Sequence, residues 1–481
     1  MRQRVLCFDV LTALAGLLFL NCPAYSQISM EEARREKLET VEELRRTEKV
    51  FGRSSWMTSS LYRNFGWRTN VGGWVSTSYT GGDNNDRNAA LPDVLDHSWD
   101  QELRFFMGIS SGTGRTNFYS RLGTTYTRNS RSSVAIRSSD LIQPTFDMLY
   151  ISHSLPTGRW QHQFTFGRQF VMVERGISFS AVADGLRYGI HSPINDFQFF
   201  FLRQNTSEDN IDYLATGYGH SHRWFYGAEW KLHYHPDHQV GLFMAANKDR
   251  NNDSVDGLGQ KHKLDSIYYG LGTDGRLFGK FLYWGQFIGE SGKTYQSGGT
   301  TKIDVSASAL DVGFRYFFTT AVAPSLYLEY AMGSGDKDAT GNVVSTLGGS
   351  TTGKDQRFIS FGGLNLGYAL APQLSNIQVI KLGSSFKPFG WSASRRWSNL
   401  SVQPVYYIYS RPSAPGATSD PYISTAAGAS SNIGNAYDLT VAWKAAVDAN
   451  YQLKFGRFNP GSAYTTRSNE TYLRLKVSLD L

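Results

Sequence analysis

Ten basic side chains occupy alternate positions in strand-like runs of the sequence, opposite the large apolar residues. A planar guanidinium can hold a carboxylate through two parallel hydrogen bonds, and rings of arginine and lysine in a pore select anions. If the apolar faces contact lipid, these residues point into a channel along which a polyanion could slide. They are Arg68, Arg104, Arg121, Arg223, Lys231, Arg315, Lys444, Lys454, Arg474 and Lys476.

Acidic residues on the same faces leave a second interpretation open. The basic and acidic groups could pair across the lumen and only stiffen its wall. For any single residue we favour such an ion pair, whereas for the net basic excess we favour anion selectivity. The acidic residues are Glu102, Glu229, Asp311, Glu329 and Asp438.

Three other groups of residues are weaker candidates for a calcium, catalytic or metal site. The stretch 249–256 begins like a calcium loop, but Ser254 stands where glycine is needed and Gln260 where glutamate is needed. Ser152, His153 and Ser154 are adjacent, but no nucleophile motif accompanies them, so we expect no enzyme. Three histidines run into a Pro-Asp turn, and we expect neither a metal nor another cofactor there. They are His233, His235 and His238.

The elements that must position the basic residues are β-strands. Tyr437 to Val447 alternates apolar and polar residues, and Thr471 to Leu481 places leucine and valine opposite Arg474 and Lys476. Period two with one apolar face predicts a half-buried strand, and each run is long enough to cross a bilayer when tilted. A soluble β-sandwich alternates in the same way, but its strands are usually shorter.

Composition narrows the class of protein further. The 481 residues are 41% apolar and 14% aromatic, with a mean hydropathy of −0.36. After the first 26 residues no apolar run is long enough for a membrane-spanning helix, which excludes a helical membrane protein. Glycine, aromatic residues and low hydropathy suit a membrane β-barrel, in which every second residue contacts lipid. We expect one such domain over residues 53–481.

The N-terminus has the pattern of a secretory signal over residues 1–26. Arg2 and Arg4 precede an apolar core and a small-residue cleavage site. A lipoprotein signal ending at Cys22 is the alternative. Both cysteines lie in this segment, so we expect no disulfide in the exported chain. The net charge of +7 suggests an anionic solute in the lumen or anionic lipid at the rim, rather than nucleic acid.

A helix is predicted at Ser29–Val50, within residues 27–52. Ser29 and Glu32 form a capping box, and the apolar stripe is thin. We expect a periplasmic helix that is solvated; the alternatives are that it docks in the mouth of the barrel or contacts a periplasmic protein.

The connections between predicted strands alternate between short turns and long polar loops. Long stretches lie near 80–97, 128–144, 205–221, 248–264, 290–302 and 334–356, and short ones lie near 111–114, 156–158, 236–237 and 273–275. Short turns on one side and long loops on the other are typical of membrane barrels. Both chain ends should lie on the periplasmic side, which requires an even number of strands. We therefore assign Phe358 to Leu370 to an external loop and predict about 18 strands around an aqueous channel.

Three short motifs resemble the alginate export family of outer-membrane barrels. Phe455 to Gly461, followed by the last strand, resembles the end of that family's barrel. Ser334, Gly335 and Asp336, in the loop after the strand Leu326 to Met332, resemble its acidic loop motif. Gly167 to Gln169 with Asp184 and Gly185 resembles an earlier strand pair.

The resemblance implies an 18-stranded outer-membrane channel with a cationic lumen that passes a polyuronate. Two features depart from the family pattern: Phe458-Asn459 replaces an aromatic pair, and the chain ends in Leu481 rather than phenylalanine. We expect a monomeric outer-membrane channel for an anionic polysaccharide or oligosaccharide. The alternatives are a conduit barrel for a periplasmic partner and a general small-solute porin.

Overall fold

The computed structural model describes residues 67–89, 97–130, 137–206, 208–251, 254–339, 341, 343 and 345–481. The predicted signal and the predicted helix Ser29–Val50 lie outside these residues. Among the described residues, no helix is both long and apolar enough to cross a membrane.

Eighteen β-strands make up nearly all of the regular structure. The first nine are β1 (Trp67–Asp83), β2 (His97–Ser111), β3 (Thr116–Ser130), β4 (Arg137–Thr157), β5 (Trp160–Met172), β6 (Ser180–His191), β7 (Asn195–Arg203), β8 (Arg223–His235) and β9 (His238–Asp249). The others are β10 (Asp265–Leu277), β11 (Phe281–Tyr295), β12 (Lys302–Phe317), β13 (Ser325–Gly333), β14 (Ile377–Ser385), β15 (Leu400–Ser410), β16 (Asn432–Lys444), β17 (Ala449–Pro460) and β18 (Glu470–Asp480). A four-residue helix, Arg395–Ser398, lies between β14 and β15.

The sheet closes on itself as a single antiparallel barrel. Each strand pairs with its sequence neighbours, and β1 pairs with both β2 and β18. Trp74 thus lies opposite Arg104 on one side and Asp480 on the other. Closure removes the exposed strand edges that would otherwise leave backbone groups unpaired in lipid. The predicted all-β barrel of about 18 strands is confirmed.

Connections at the two ends of the barrel differ in length. Those that follow odd-numbered strands define the long-loop end, and they include 204–222 and 334–376. Those that follow even-numbered strands define the short-turn end, and they include 158–159 and 236–237. Long loops on the outside and short turns on the periplasmic side are the usual orientation of such barrels.

Alternate residues on a strand face different surroundings. On β9, Leu242 and Met244 are 50% and 54% exposed, whereas Phe243 and Ala245 between them are 5% and 4% exposed. Large apolar side chains therefore cover the outer face, as the period-two pattern predicts. The inner face holds most of the buried polar and charged residues.

Several strands are longer than the sequence suggests. The predicted loop near 128–144 is reduced to 131–136, because β3 and β4 extend into it, and β11 continues to Tyr295. The turn predicted at 273–275 is wrong: those residues pair with β11, and the turn falls at 278–280. Ala445 and Val447, predicted as strand residues, lie in the turn between β16 and β17. Polar residues are compatible with strand pairing above the lipid boundary, so polarity alone misplaces strand ends.

Candidate functional site

Residues 358–370 of the loop 334–376 lie inside the barrel. On one side, the Ile359 amide donates to the Glu290 carboxylate on β11 at 3.0 Å, and the Tyr268 hydroxyl on β10 donates to the Ile359 carbonyl. On the other side, the Tyr409 hydroxyl on β15 donates to the Leu366 carbonyl at 2.7 Å. A loop that contacts both β10–β11 and β15 spans the lumen. The predicted external loop at residues 358–370 is a loop, but it folds into the lumen.

Apolar side chains hold this loop in place. The ring centres of Phe361 and Phe225 of β8 are 5.2 Å apart. The guanidinium carbon of Arg223 lies 5.1 Å from the ring centre of Phe361. Phe358 and Leu366 are fully buried in the same cluster. Part of the interior is therefore a packed core rather than the fully aqueous channel expected from strand number, because the loop brings its own apolar residues into the lumen.

The acidic loop motif closes the base of the loop. The Ser334 carbonyl accepts hydrogen bonds from the amides of Phe358 and Asn376, at 3.2 and 3.0 Å. The Asp336 carboxylate accepts from the Gln356 amide at 3.1 Å. A Cβ at Gly335 would overlap the Asn376 side chain. The motif residues Ser334, Gly335 and Asp336 thus serve to join the two ends of the inward loop.

Gly335→Ala should loosen the loop without opening the barrel. The added methyl displaces Asn376, whose amide nitrogen donates to the carbonyls of Ser413, Gly416 and Ala417. We expect a local cost of about 1–3 kcal/mol, typical of overpacking. Limited proteolysis should cut 334–376 faster, while the heat-modifiable gel mobility of the barrel stays unchanged. Gly353→Ala is no suitable control, because its φ of +74° adds strain; Gly219→Ala, where a Cβ meets nothing, is suitable. Equal cleavage of the Gly335→Ala and Gly219→Ala variants would contradict this role.

A second, shorter loop, 173–179, also enters the lumen. The Arg175 guanidinium lies 2.6 Å from the Asp311 carboxylate on β12 and stacks on Trp284 of β11. The Glu174 amide donates to the Glu229 carboxylate on β8 at 2.7 Å. The Phe361 amide donates a hydrogen bond to the Ser178 carbonyl at 3.0 Å, so the two inward loops contact each other.

Glu174 lies in a slot on the barrel wall. Its side chain is 6% exposed, and a Cβ at Gly241 or Gly272 would overlap its carboxylate. Burial raises the pKa of Glu174 to about 7, the Lys231 ammonium opposes part of that rise, and Glu229 adds to it. The docked loop thus favours the protonated acid.

Docking of loop 173–179 should therefore weaken as the pH rises. The stabilisation is complete below the ordinary Glu pKa of 4.5 and is lost as the pH rises through about 7. The full shift corresponds to about 3 kcal/mol. Single-channel conductance should fluctuate more at pH 8 than at pH 5, and Glu174→Gln should remove that difference. Glu208→Gln, in the loop 204–222, is the matched control. A pH dependence that persists in the Glu174→Gln variant would rule out Glu174 as the titrating group.

Five of the ten predicted basic residues form ion pairs on the inner face. Arg104 and Arg121 both contact Asp147, at 3.1 and 2.7 Å. Arg104 also contacts Glu102. The other three pairs are Arg223–Asp249 at 2.7 Å, Lys231–Glu229 at 3.1 Å and Lys476–Glu102 at 3.8 Å. These pairs run along one strand or between nearby strands of the wall, rather than across the lumen as the wall-stiffening interpretation expects.

Three of the basic residues form one surface, which we call the cationic patch: Lys454, Arg474 and Lys476. Lys454 on β17 lies directly opposite Arg474 on β18, and Lys476 follows two residues later on the same face. The Lys454 ammonium lies 5.1 Å from the ring centre of Tyr368, in the inward loop. Arg474 donates to the Ser78 hydroxyl at 3.3 Å. The patch therefore faces the loop that spans the lumen.

The other three basic residues lie away from the patch. Arg68, Arg315 and Lys444 are at the short-turn end of their strands. Arg315 stacks on Tyr327 at 4.7 Å, and Arg68 and Lys444 are exposed. The structure thus brings together only part of the predicted set.

Sequence reasoning missed the basic residues of several lumenal ion pairs, of which Arg175 and Lys381 are examples. Arg175 contacts Asp311, and Lys381 on β14 contacts Glu329 on β13 at 2.7 Å. Lys381 does follow the period-two pattern with Val379 and Gly383, so alternation within 377–385 could have identified it. Arg175 lies in a loop, where no periodic pattern exists.

The residues considered for metal binding have other partners. Among the described residues, no group of three or more His, Cys, Asp or Glu could hold a metal ion. His233 contacts Asp196 at 2.8 Å. Asp249 pairs with Arg223, and Asp256 contacts His262 at 2.9 Å. The hydrogen bond from His262 lowers the pKa of Asp256.

Comparison with known proteins identifies the family. The family model for alginate export matches residues 216–478. The chain belongs to the alginate export family. The match covers more than half of the chain and includes the loop motif and the cationic patch.

Solved structures similar to this alginate export family member are outer-membrane proteins of Pseudomonas aeruginosa. OccK5 (OpdH) has a TM-score of 0.51 and 10% identity, covering 86% of this chain and 98% of that chain. OccK11 (OpdR) has a TM-score of 0.51 and 12% identity, covering 86% and 96%. At these identities the likeness shows the fold alone. A comparison with curated proteins gives no match.

Family and fold together give the general function and the location of the protein. This member of the alginate export family is an outer-membrane channel, and its 18-stranded barrel lies in the bacterial outer membrane with its apolar face in lipid. The family indicates a channel.

Proposed function

We propose that the channel passes an anionic polysaccharide or oligosaccharide, of the polyuronate class, along the cationic patch. The observation that supports this is the placement of Lys454, Arg474 and Lys476 on adjoining positions of β17 and β18, opposite Tyr368. Guanidinium and ammonium groups bind carboxylates reversibly, and an aromatic ring beside them offers a flat surface for a sugar. The family description, alginate export, agrees with this substrate class.

Contacts between the inward loops and the barrel wall limit the path that a polymer could take. Asp311 and Glu229 hold loop 173–179 against β8 and β12, and the loop 334–376 crosses the lumen beside it. Tyr368 of the longer loop packs on Lys454 and Tyr472, so a polymer would pass beside that loop, along the wall formed by β18, β1 and β2. Its uronate groups would exchange between Lys454, Arg474 and Lys476 rather than bind tightly to one.

Blockade of single-channel current tests the substrate class. Oligouronate added to a planar bilayer should reduce the current in a concentration-dependent way, because it competes with chloride at the cationic patch. A neutral oligosaccharide of the same length is the control and should block less. Equal block by both, or a large conductance indifferent to either, would favour a general small-solute porin instead.

A further inference from the structure

The connection 386–399 is unlike the other turns at the short-turn end. It is longer than they are, and it contains the helix Arg395–Ser398. Its basic residues are Lys387, Arg395 and Arg396, and it contains no acidic residue. All three side chains are exposed. Nothing in the channel function accounts for this composition.

A continuous chain of aromatic rings attaches this connection to the outside of the barrel. Trp397 stacks on Trp443 of β16, with ring centres 5.3 Å apart and planes 13° apart. Phe389 contacts Trp397 at 5.8 Å, and Trp443 contacts Tyr451 of β17 at 5.4 Å. The Trp443 indole N–H also donates to the Arg396 carbonyl at 2.8 Å.

The chain of rings lies on the lipid side of the wall. Trp443 lies an even number of residues after Tyr437 on β16, so both side chains point to the same face, and Tyr437 is 52% exposed on the outer face. Tyr451 of β17 lies directly opposite Trp443 and therefore shares that face. Because Trp397 stacks on Trp443, the helix Arg395–Ser398 folds back over the outer rim of the barrel. Aromatic residues at this height are typical of the membrane interface, where headgroups meet acyl chains.

The rest of the connection is fixed to its neighbours. The Lys387 amide donates to the Val322 carbonyl at 2.8 Å, and the amides of Phe386 and Val402 donate to each other's carbonyls at 2.9 Å. A Cβ at Gly390 would overlap the Ala321 carbonyl. The positions of both arginines at the rim are therefore set by packing and backbone hydrogen bonds.

Two guanidinium groups at the interface fit one kind of partner. Within the part of the chain that the structure describes, neither Arg395 nor Arg396 forms an ion pair, and the neighbouring Trp391 is 71% exposed. An arginine fork binds phosphate, and basic residues beside a membrane attract anionic lipid. We propose that the connection 386–399 binds the headgroups of anionic phospholipids in the leaflet at the short-turn end. The site continues the lipid-facing surface of the barrel.

Retention of lipid in native mass spectrometry tests this proposal. The purified protein is mixed with equal amounts of phosphatidylglycerol and phosphatidylcholine in detergent, and the bound lipids are counted. The wild type should retain phosphatidylglycerol preferentially. Arg395→Gln with Arg396→Gln should reduce that preference about thirtyfold, because each basic group contributes about 1 kcal/mol and about 1.4 kcal/mol is a factor of ten. Lys337→Gln with Lys354→Gln, two exposed lysines at the long-loop end, is the matched control and should keep the preference.

A second variant separates headgroup binding from folding. Trp397→Leu should lower retention of phosphatidylglycerol with both arginines present, because the helix loses its stack on Trp443. Heat-modifiable gel mobility verifies that each barrel is folded. An unchanged lipid ratio in the double arginine variant would overturn the proposal. So would equal retention of the two lipids by the wild type, which would leave a periplasmic protein as the partner of this surface.

Discussion

Replacing Lys454, Arg474 and Lys476 together by glutamine should reduce anion selectivity several-fold. These residues adjoin one another across β17 and β18, and Glu102, the acid paired with Lys476, is shared with Arg104. Removing three positive charges from one stretch of wall lowers the local anion concentration. The chloride-to-potassium permeability ratio, from the reversal potential in asymmetric salt, measures the effect.

A variant with the same change in net charge is the control for that result. Arg128, Arg203 and Lys302 are exposed on the outer faces of β3, β7 and β12 near the long-loop end, and their replacement by glutamine removes three positive charges outside the lumen. We expect this variant to keep the wild-type permeability ratio at physiological salt, where charges beyond about 8 Å are screened. The same loss of selectivity in both variants would mean that total charge, rather than the cationic patch, sets the permeability ratio.

The second large effect is expected from the anchors of the inward loop. Replacing four buried apolar residues of the loop 334–376 by serine should release it from the lumen and raise single-channel conductance several-fold. Each large-to-small change in a packed core costs about 2–5 kcal/mol, so four together exceed what a loop can withstand. The strands retain their pairing, because none of the four lies in a strand. The residues are Phe358, Phe361, Leu366 and Leu370.

Exposed apolar residues in another loop provide the comparison. Val255 and Leu258 are 51% and 82% exposed, and their replacement by serine should leave conductance unchanged. Protease cleavage within 334–376 should increase only in the loop variant. Wild-type conductance in the loop variant would show that the loop does not limit the open pore.

Strand alternation made most of the barrel predictable. On β18, Leu473, Leu475 and Val477 alternate with Arg474 and Lys476, and this pattern alone assigns each residue to a face. The number of strands followed from the requirement that both chain ends lie on one side. Strand ends were less predictable, as at Thr273, because a polar residue pairs equally well at the end of a strand or enters a turn.

The inward loops were beyond sequence reasoning. Glu174 fits against Gly241 and Gly272, which lie more than sixty residues away in sequence, and no local pattern indicates that contact. Phe361 and Phe225 likewise meet only after closure of the barrel. The sheet face that a strand residue occupies follows from local alternation, whereas the position of a loop depends on contacts between distant parts of the chain. Alternation thus predicts which charged residues share a strand face, but not the loops that partly fill the lumen.

The reversal potential of the wild-type channel in a planar bilayer with asymmetric potassium chloride is the most direct test of a cationic lumen. A channel whose lumen carries the positive charges of Lys454, Arg474 and Lys476 should reverse towards the equilibrium potential of chloride. A reversal potential near zero, or one displaced towards the equilibrium potential of potassium, would contradict the account.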